Sequence, residues 1–429
     1  MNAPAQSPEL VDLFDAQSWE AAGRLLVAPP PHPRGEPSTP LPELLEALLA
    51  LQRPPDQVGP EAFPLADLLG LGRLLLHRPW SARDRELLRQ AADQSRRELV
   101  GDTVTYVVNR NINATNHCVL RCGFCAFRRS PNEAGAFRLN RAELLDRAAQ
   151  AQALGATELC LQAGLDPEAQ SQGSHLHFAA ELLRDLKAAA PELHLHGFSP
   201  QELLFVAQRD NVSLRHVVET LREAGLGSVP GTAAEVLCER VRRLICPEKL
   251  SAQAWVAVMM EVHQAGLRST STLLAGHVET AMEQLAHLCT LAAVQHHARL
   301  HNRQGFTEFI VLPFVGAAAP APLRARVGRD QPDPDAMLLL TAQSRLLLGA
   351  WIRHHQPSWV KLTLPIAAEA LAWGCDDLGG TLMEEHITTM AGAAGGTSQT
   401  VDALRAAAMR KGRPVRQRTT LYGACAAPC

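Results

Sequence analysis

Hydrophobic positions along this chain follow two alternating rhythms. From Thr103 onward, short runs dominated by β-branched, aliphatic and aromatic residues are followed by longer stretches whose apolar positions recur at helical spacing. The short runs predict strands at residues 104–108 (VTYVV), 157–162, 193–196, 226–229, 269–274, 306–311 and 359–363. Helices are expected between and after them, at 140–154, 175–190, 200–208, 213–224, 235–245, 252–265, 279–297 and from 333 to 355. Gly155, Pro191 and Gly225 punctuate several of these boundaries. The polar run NRNINATN at 109–116 reads as a loop. Short strands alternating with longer helices call for a parallel sheet with crossover helices, and about seven or eight such units fit one α/β barrel of the (β/α) TIM type. Such a barrel carries its chemistry at the C-terminal ends of its strands. Most of the polar, glycine-containing runs fall at those ends.

Upstream of Thr103 the pattern is different. Residues 67–76 and 81–99 read as helices, the second with Leu87, Leu88 and Ala91 at helical spacing among charged residues. Up to about Asp56 the chain is rich in Pro and Ala, with prolines clustered from Pro29 to Pro33, and predicts a poorly packed leader around one or two helices. The expected organisation is an N-terminal helical extension at 1–100, a barrel with a C-terminal extension at 101–422, and a tail at 423–429.

Composition narrows the partners. A net charge of −3 over 429 residues, with both signs dispersed, offers no basic footprint for nucleic acid. The N-terminus lacks a basic n-region and an apolar h-region, and no segment approaches the ~20 uninterrupted apolar residues of a membrane span. Ten cysteines without a pairing pattern suit a reducing compartment. A cytoplasmic protein acting on small molecules is the expectation.

Three of those cysteines change the picture. Cys118, Cys122 and Cys125 stand in NHCVLRCGFCAF at 116–127, a CxxxCxxC spacing. Three close thiolates can serve one iron–sulfur cube, which has four irons and normally four protein ligands, so one iron is left for something other than protein. A structural zinc site would need a second close pair, and none follows at a sensible distance. Cys425 and Cys429 form a CxxxC in the final five residues, where a frayed end is the simpler reading. Elsewhere, His277 and Glu279 follow the predicted fifth strand, although a helix start also favours an acidic residue. His194 and His196 share a strand face but have no third metal ligand. Ser199, Gln201 and Glu202 follow the third strand and would line a pocket or begin a helix.

With Phe124 just before its third cysteine, the triplet resembles the cluster loop of the radical S-adenosylmethionine (radical SAM) enzymes. That resemblance implies a [4Fe-4S] cluster on Cys118, Cys122 and Cys125, and S-adenosylmethionine chelating the open iron. It also implies cofactor contacts from Phe124 and from the turn Gln162, Ala163 and Gly164, where small residues let the backbone reach the methionine moiety.

Longer runs sharpen the likeness. YVVNRNIN at 106–113, CAFRR at 125–129, HGFSPQEL at 196–203, AGLGSVPGTAAE at 224–235, GHVET at 276–280 and DLGGTLME at 377–384 resemble the tyrosine-dependent subunit family of deazaflavin chromophore synthase, CofH. The resemblance runs from about Asp102 to Tyr422 and departs at Ala163, where relatives commonly have Gly. It implies transfer of a 4-hydroxybenzyl group from L-tyrosine to 5-amino-6-(D-ribitylamino)uracil. Reductive cleavage of S-adenosylmethionine would release methionine and a 5'-deoxyadenosyl radical, which takes a hydrogen atom from tyrosine. The Cα–Cβ bond then breaks, leaving a glycine-derived imine. Ser199, Glu235, His277 and Glu279 are candidate substrate or cofactor contacts. An external reductant and a second, CofG-type radical SAM subunit that closes the ring are the implied partners, since one cysteine triplet cannot serve both activities. Aminofutalosine synthase and dehypoxanthine futalosine cyclase of menaquinone biosynthesis share the NINxTNxC opening. A non-catalytic iron–sulfur electron carrier would leave the barrel unexplained.

Overall fold

A computed structural model of the chain describes residues 10–33, 39–52 and 63–425. Its strands are β1 (Val104–Val107), β2 (Asn109–Ile112), β3 (Glu158–Leu161), β4 (His194–Gly197), β5 (Leu226–Val229), β6 (Arg268–Ala275), β7 (Phe306–Pro313), β8 (His354–Pro357), β9 (Asp377–Gly380) and β10 (Val415–Gln417). Strands β2 to β8 pair in chain order as one parallel sheet, and β1 lies between β10 and β9 in a second. Only Val108 separates β1 from β2. The Asp376 N–H donates to His355 O at 3.1 Å, that of Thr381 to Val107 O at 3.1 Å, and that of Asn111 to Leu382 O at 2.9 Å. Strand β9 and the residues after it therefore bridge from β8 back to β2 and complete the ring of a (β/α) TIM-type barrel.

Side-chain alternation explains why these segments are strands. On β6, Thr270, Thr272 and Leu274 face the central cavity, and on β7 Glu308, Ile310 and Leu312 do so. The intervening Ser269, Ser271, Leu273, Phe309 and Val311 are buried on the other face. The outer layer is capped in the usual helical manner. Asn140, Ser199 and Thr280 each close a capping box with a Glu three residues on.

Several elements differ from expectation for identifiable reasons. Residues 109–112, read as loop, are strand β2, because Asn109 and Asn111 face a polar interior rather than solvent. The predicted strand at 359–363 is instead the short helix Trp359–Leu362, and the strand precedes it as the polar His354–Pro357. The Trp359 indole N–H is taken by Gly380 O at 3.0 Å, which holds it in that turn. The helix expected at 235–245 begins only at Glu239, and the one expected at 279–297 begins at Ala281. The helix expected to reach 355 ends at Leu348.

The described helices of the leader are well packed, against the expectation of a poorly packed leader. Helices Ala16–Leu25, Leu41–Leu51 and Leu65–Leu76 bury Ala22, Leu44, Leu48, Leu68 and Leu75. Polar stitches reinforce this: Gln52 Nε2 donates to Leu346 O and its Oε1 accepts from Ala350 N, while Val27 N–H donates to Thr290 Oγ1 at 2.9 Å. The apolar faces of these short helices outweigh the Pro/Ala-rich connectors. Among the described residues, no helix is long and apolar enough to cross a membrane.

Candidate active site

The cysteine loop leaves the C-terminal end of β2 and is fixed from several directions. Asn116, fully buried, accepts from Phe137 N and donates from Nδ2 to Gly135 O, while Thr115 Oγ1 donates to Phe137 O. Arg129 N–H donates to Asn116 O at 2.8 Å and Cys118 N–H to Arg129 O at 3.3 Å, so the loop folds back on itself. At its far end Gly123 N–H donates to Ile245 O at 2.7 Å. Cys118, Cys122 and Cys125 are free thiols and line one cavity of about 400 Å³ inside the barrel mouth. Burial pushes the Cys122 thiol up to about 12 and that of Cys118 upward as well. Such thiols need strong cationic partners to ionise, which iron supplies.

The donor set fits a cube better than a single ion. Among the described residues no three His, Cys, Asp or Glu side chains gather closely enough to hold one metal. A cube instead takes each thiolate on a different iron.

The turn after β3 packs directly on this loop. Gly164 N–H donates to Thr115 O at 2.9 Å, and a Cβ on Gly164 would lie 2.1 Å from His117 O. Its small size is thus required by the cysteine loop itself, beyond any access it gives a ligand. Ala163 N–H donates to Glu202 Oε1 at 3.3 Å, and Glu202 Oε2 accepts from Ser199 Oγ at 2.6 Å. Burial pushes the Glu202 carboxyl up to about 7, although these donors pull the other way.

Phe124 lies beneath Lys249, whose Nζ is 5.2 Å from the ring centroid and 2.6 Å from Glu235 Oε1. Ala233 and Glu235 both have positive φ, 70° and 47°, an uncommon backbone for residues with side chains. Burial opposes ionisation of Glu235, but Lys249 outweighs it and holds the carboxyl below the usual range.

Cys118, Cys122, Phe124, Cys125, Gln162, Ala163, Gly164, Ser199 and Glu235 all line this cavity. His277 and Glu279 do not. Glu279 accepts from the N–H groups of Gly276 at 2.6 Å and His277 at 2.9 Å, and His277 Nε2 lies 3.0 Å from Leu274 O. Burial keeps the His277 imidazole neutral despite Glu279 beside it. The pair shapes the turn after β6, behind the wall that Leu274 and Phe314 present to the cavity. Cys429, and with it the CxxxC of the tail, lies outside the described residues.

Apart from the His194 and His196 pair, the floor of the cavity carries charged groups that spacing in the sequence did not reveal. Arg418 reaches Asp377 Oδ2 at 2.5 Å and Glu308 Oε2 at 3.1 Å, and the Tyr422 hydroxyl donates to the same Glu308 oxygen. Burial pushes Glu308 up to about 7, with Arg418 opposing and Asp377 adding to the rise. Glu158 on β3 accepts from Asn109 Nδ2 at 2.8 Å, and His196 on β4 shares the Ser228 hydroxyl with His194, each at 2.7 Å. The one sequence signal for such residues is a charge inside an otherwise apolar strand, as Glu308 is in FTEFIVLP.

A barrel whose first loop offers three thiols to its own mouth, packed against the turn after the next strand, is the architecture of a radical SAM enzyme. The model of the radical SAM superfamily matches residues 112–291. Solved structures agree in fold: methylornithine synthase (PylB) superposes with a TM-score of 0.62 at 16% identity, covering 87% of this chain and 97% of that one. The hydrogenase maturase HydG from Carboxydothermus hydrogenoformans gives 0.64 at 15% identity, covering 97% and 86%. Curated relatives are far more similar in sequence. The 5-amino-6-(D-ribitylamino)uracil--L-tyrosine 4-hydroxyphenyl transferase of Synechococcus elongatus is 56% identical over 80% of this chain and 89% of the relative. That of Synechocystis sp. is 52% identical over 86% and 94%. The chain belongs to the family of these tyrosine 4-hydroxyphenyl transferases, within the radical SAM superfamily, and its cofactors are a [4Fe-4S] cluster and S-adenosylmethionine.

Proposed function

We propose that this chain joins the 4-hydroxybenzyl group of L-tyrosine to 5-amino-6-(D-ribitylamino)uracil, forming a carbon–carbon bond in deazaflavin biosynthesis. The observation that carries this reading is the 56% identity to a transferase of that name across 89% of its length. When bound, the cluster and S-adenosylmethionine supply a 5'-deoxyadenosyl radical, with methionine as by-product. Cys118, Cys122 and Cys125 are the cluster ligands in this reading, and Phe124 with the backbone of Gln162, Ala163 and Gly164 cradles the cofactor. Ser199 and Glu235 contact it or substrate from the same cavity. His277 and Glu279 act from behind the wall, by holding the turn after β6. The tyrosine Cα–Cβ bond breaks, the benzyl carbon joins the uracil carbon that bears the amino group, and a glycine-derived imine leaves.

The chain's own contribution is enclosure and positioning. The walls at Leu274, Ile310, Leu312 and Phe314 exclude water, while Glu158, His196, Glu308 and Arg418 present hydrogen-bonding groups suited to a polar uracil and its ribityl chain. We assign the chemistry to the barrel at 101–422 and a packing role to the extension at 1–100. An external reductant and a second radical SAM subunit of CofG type that closes the ring are the remaining partners. The nine described cysteines are all free, which fits a reducing cytoplasm.

The test is anaerobic incubation of the reconstituted, reduced protein with S-adenosylmethionine, tyrosine and the diaminouracil. Expected products are 5'-deoxyadenosine and the coupled adduct, both lost in Cys122→Ala. Turnover of a futalosine precursor in place of these substrates would overturn the assignment.

A further inference from the structure

The chain has four lysines, and the structure commits three of them. Lys187 Nζ donates to Pro191 O and Leu193 O, Lys249 pairs with Glu235, and Lys411 pairs with Glu369. Lys361 is the exception. Its side chain lines the barrel cavity, yet among the described residues its ammonium has no hydrogen-bond or ion-pair partner. The other cations of the cavity are engaged: Arg418 with Asp377 and Glu308, Arg128 with Cys118 O and Ser130 Oγ.

The segment that presents Lys361 is firmly built. Trp359 anchors one side through its indole N–H to Gly380 O. Gly395 N–H donates to Val360 O at 3.0 Å, and a Cβ on Gly395 would lie 2.2 Å from Trp359 O, so a second loop clamps the turn at van der Waals distance. Immediately after it, Thr363 takes a φ of 72°, a strained conformation for a β-branched residue. Glu385, which also lines the cavity, is turned to the N–H groups of Thr388 at 2.8 Å and Thr389 at 3.3 Å and bonds those instead of the lysine. Burial pushes the Lys361 ammonium below its ordinary value, with Glu385 and Glu235 opposing. A cation facing the cavity without a protein counter-charge leaves its charge uncompensated there, and a bound anion supplies the missing partner.

We infer that Lys361 binds the carboxylate of the amino-acid substrate. The inference rests on the reaction proposed above, and the chemistry of its reactants selects the anion. The ribitylaminouracil is a neutral polyol, and the carboxylate of S-adenosylmethionine is committed to the open iron at the cysteine loop. Tyrosine carries the one remaining carboxylate. Held there, the backbone end of tyrosine is fixed to the rigid wall after β8 and its benzyl arm is free to reach the second substrate.

The experiment is equilibrium dialysis of labelled L-tyrosine and of labelled tyramine, which lacks the carboxylate, against the reconstituted protein with S-adenosylmethionine present. Wild type should bind tyrosine on the order of tenfold or more tighter than tyramine. Lys361→Met should lose that preference by weakening tyrosine alone, with S-adenosylmethionine binding retained, and Lys361→Arg should restore most of it. Equal binding of tyrosine and tyramine by wild type would overturn the inference without any variant. So would tyrosine binding in Lys361→Met equal to wild type, or loss of S-adenosylmethionine binding alongside it. A wild type that binds no tyrosine would remove the proposed reaction as well.

Discussion

Gly164 concentrates several constraints in one residue. An alanine there would bring its Cβ within 2.1 Å of His117 O and 2.8 Å of His117 C, backbone atoms of the cysteine loop that have no side-chain freedom with which to yield. Gly164→Ala should therefore displace the loop, reducing cluster content after reconstitution and lowering turnover on the order of a hundredfold. Cluster absorbance and turnover equal to wild type would show that the loop can move at little cost. Glu202 makes a pH prediction. Its carboxyl titrates near 4.5 in the unfolded chain and at about 7 in the fold, so the folded protein binds the proton more tightly between those values. Stability from this group is greatest below the lower value and falls as pH rises to the upper one, by about 3 kcal/mol. Glu202→Gln keeps the capping box and removes the titration. Its melting temperature relative to wild type should climb between about pH 5 and 8, and a pH-independent difference would mean that Glu202 ionises normally. At this scale the sequence was informative about the cysteines, whose spacing is local, and about Gln162 to Gly164, one unit further on. It was silent about Glu158, Glu308, Lys361 and Arg418, because each reads as an isolated charge until the barrel brings them together.

Strand β10 shows how an element can act through one side chain. It contributes only Val415–Gln417 to the sheet, yet it delivers Arg418 between the carboxylates of Asp377 and Glu308. Thr105 Oγ1 donates to the same Asp377, and the Tyr422 ring stacks on His354 with centroids 3.6 Å apart. Arg418→Met would leave two buried carboxylates without their cation and should destabilise the fold by about 3–5 kcal/mol, read as a lower urea midpoint. A stability loss of under about 1 kcal/mol would mean the carboxyls simply take up protons. Legibility of elements followed polarity. Outer helices were evident from their apolar periodicity, and strands β5, β6 and β7 as short runs with β-branched or aliphatic residues set between helical stretches. Strands β2 and β8, NRNI and HHQP, were missed because their side chains meet a polar cavity, while Trp359–Leu362 has strand-like residues but is held as a helical turn by its indole and by Gly395.

For the whole molecule, the described helices of the leader are part of the folded body. Helix Ala16–Leu25 packs on the barrel helix Ala252–Gln264, and Leu65–Leu76 on Ala281–Leu300, where Leu285 fills the space beside Gly72. Deleting residues 1–52 would strip Leu44, Leu48 and Gln52 from the barrel's outer helices and expose their apolar partners. The truncated protein should aggregate or melt at least about 10 °C lower, and a truncation that melts like the full chain would reduce the leader to decoration. The barrel type was legible from the alternation of periods, whereas the leader's packing was not, because its Pro- and Ala-rich connectors obscure the short amphipathic faces of Ala16–Leu25 and Leu41–Leu51. The pairing of β1 with β9 and β10 also bears on how the enzyme is made. The cysteine loop leaves the ribosome early, but the seam between β8 and β2 stays open until residues 376–382 have followed. A cluster installed on the nascent chain would stand in an open trough, exposed to water and oxygen along its length. Cluster loading is therefore expected after the bridging segment 376–382 has closed the ring, and a chain truncated before it should take up less cluster on reconstitution than the full chain.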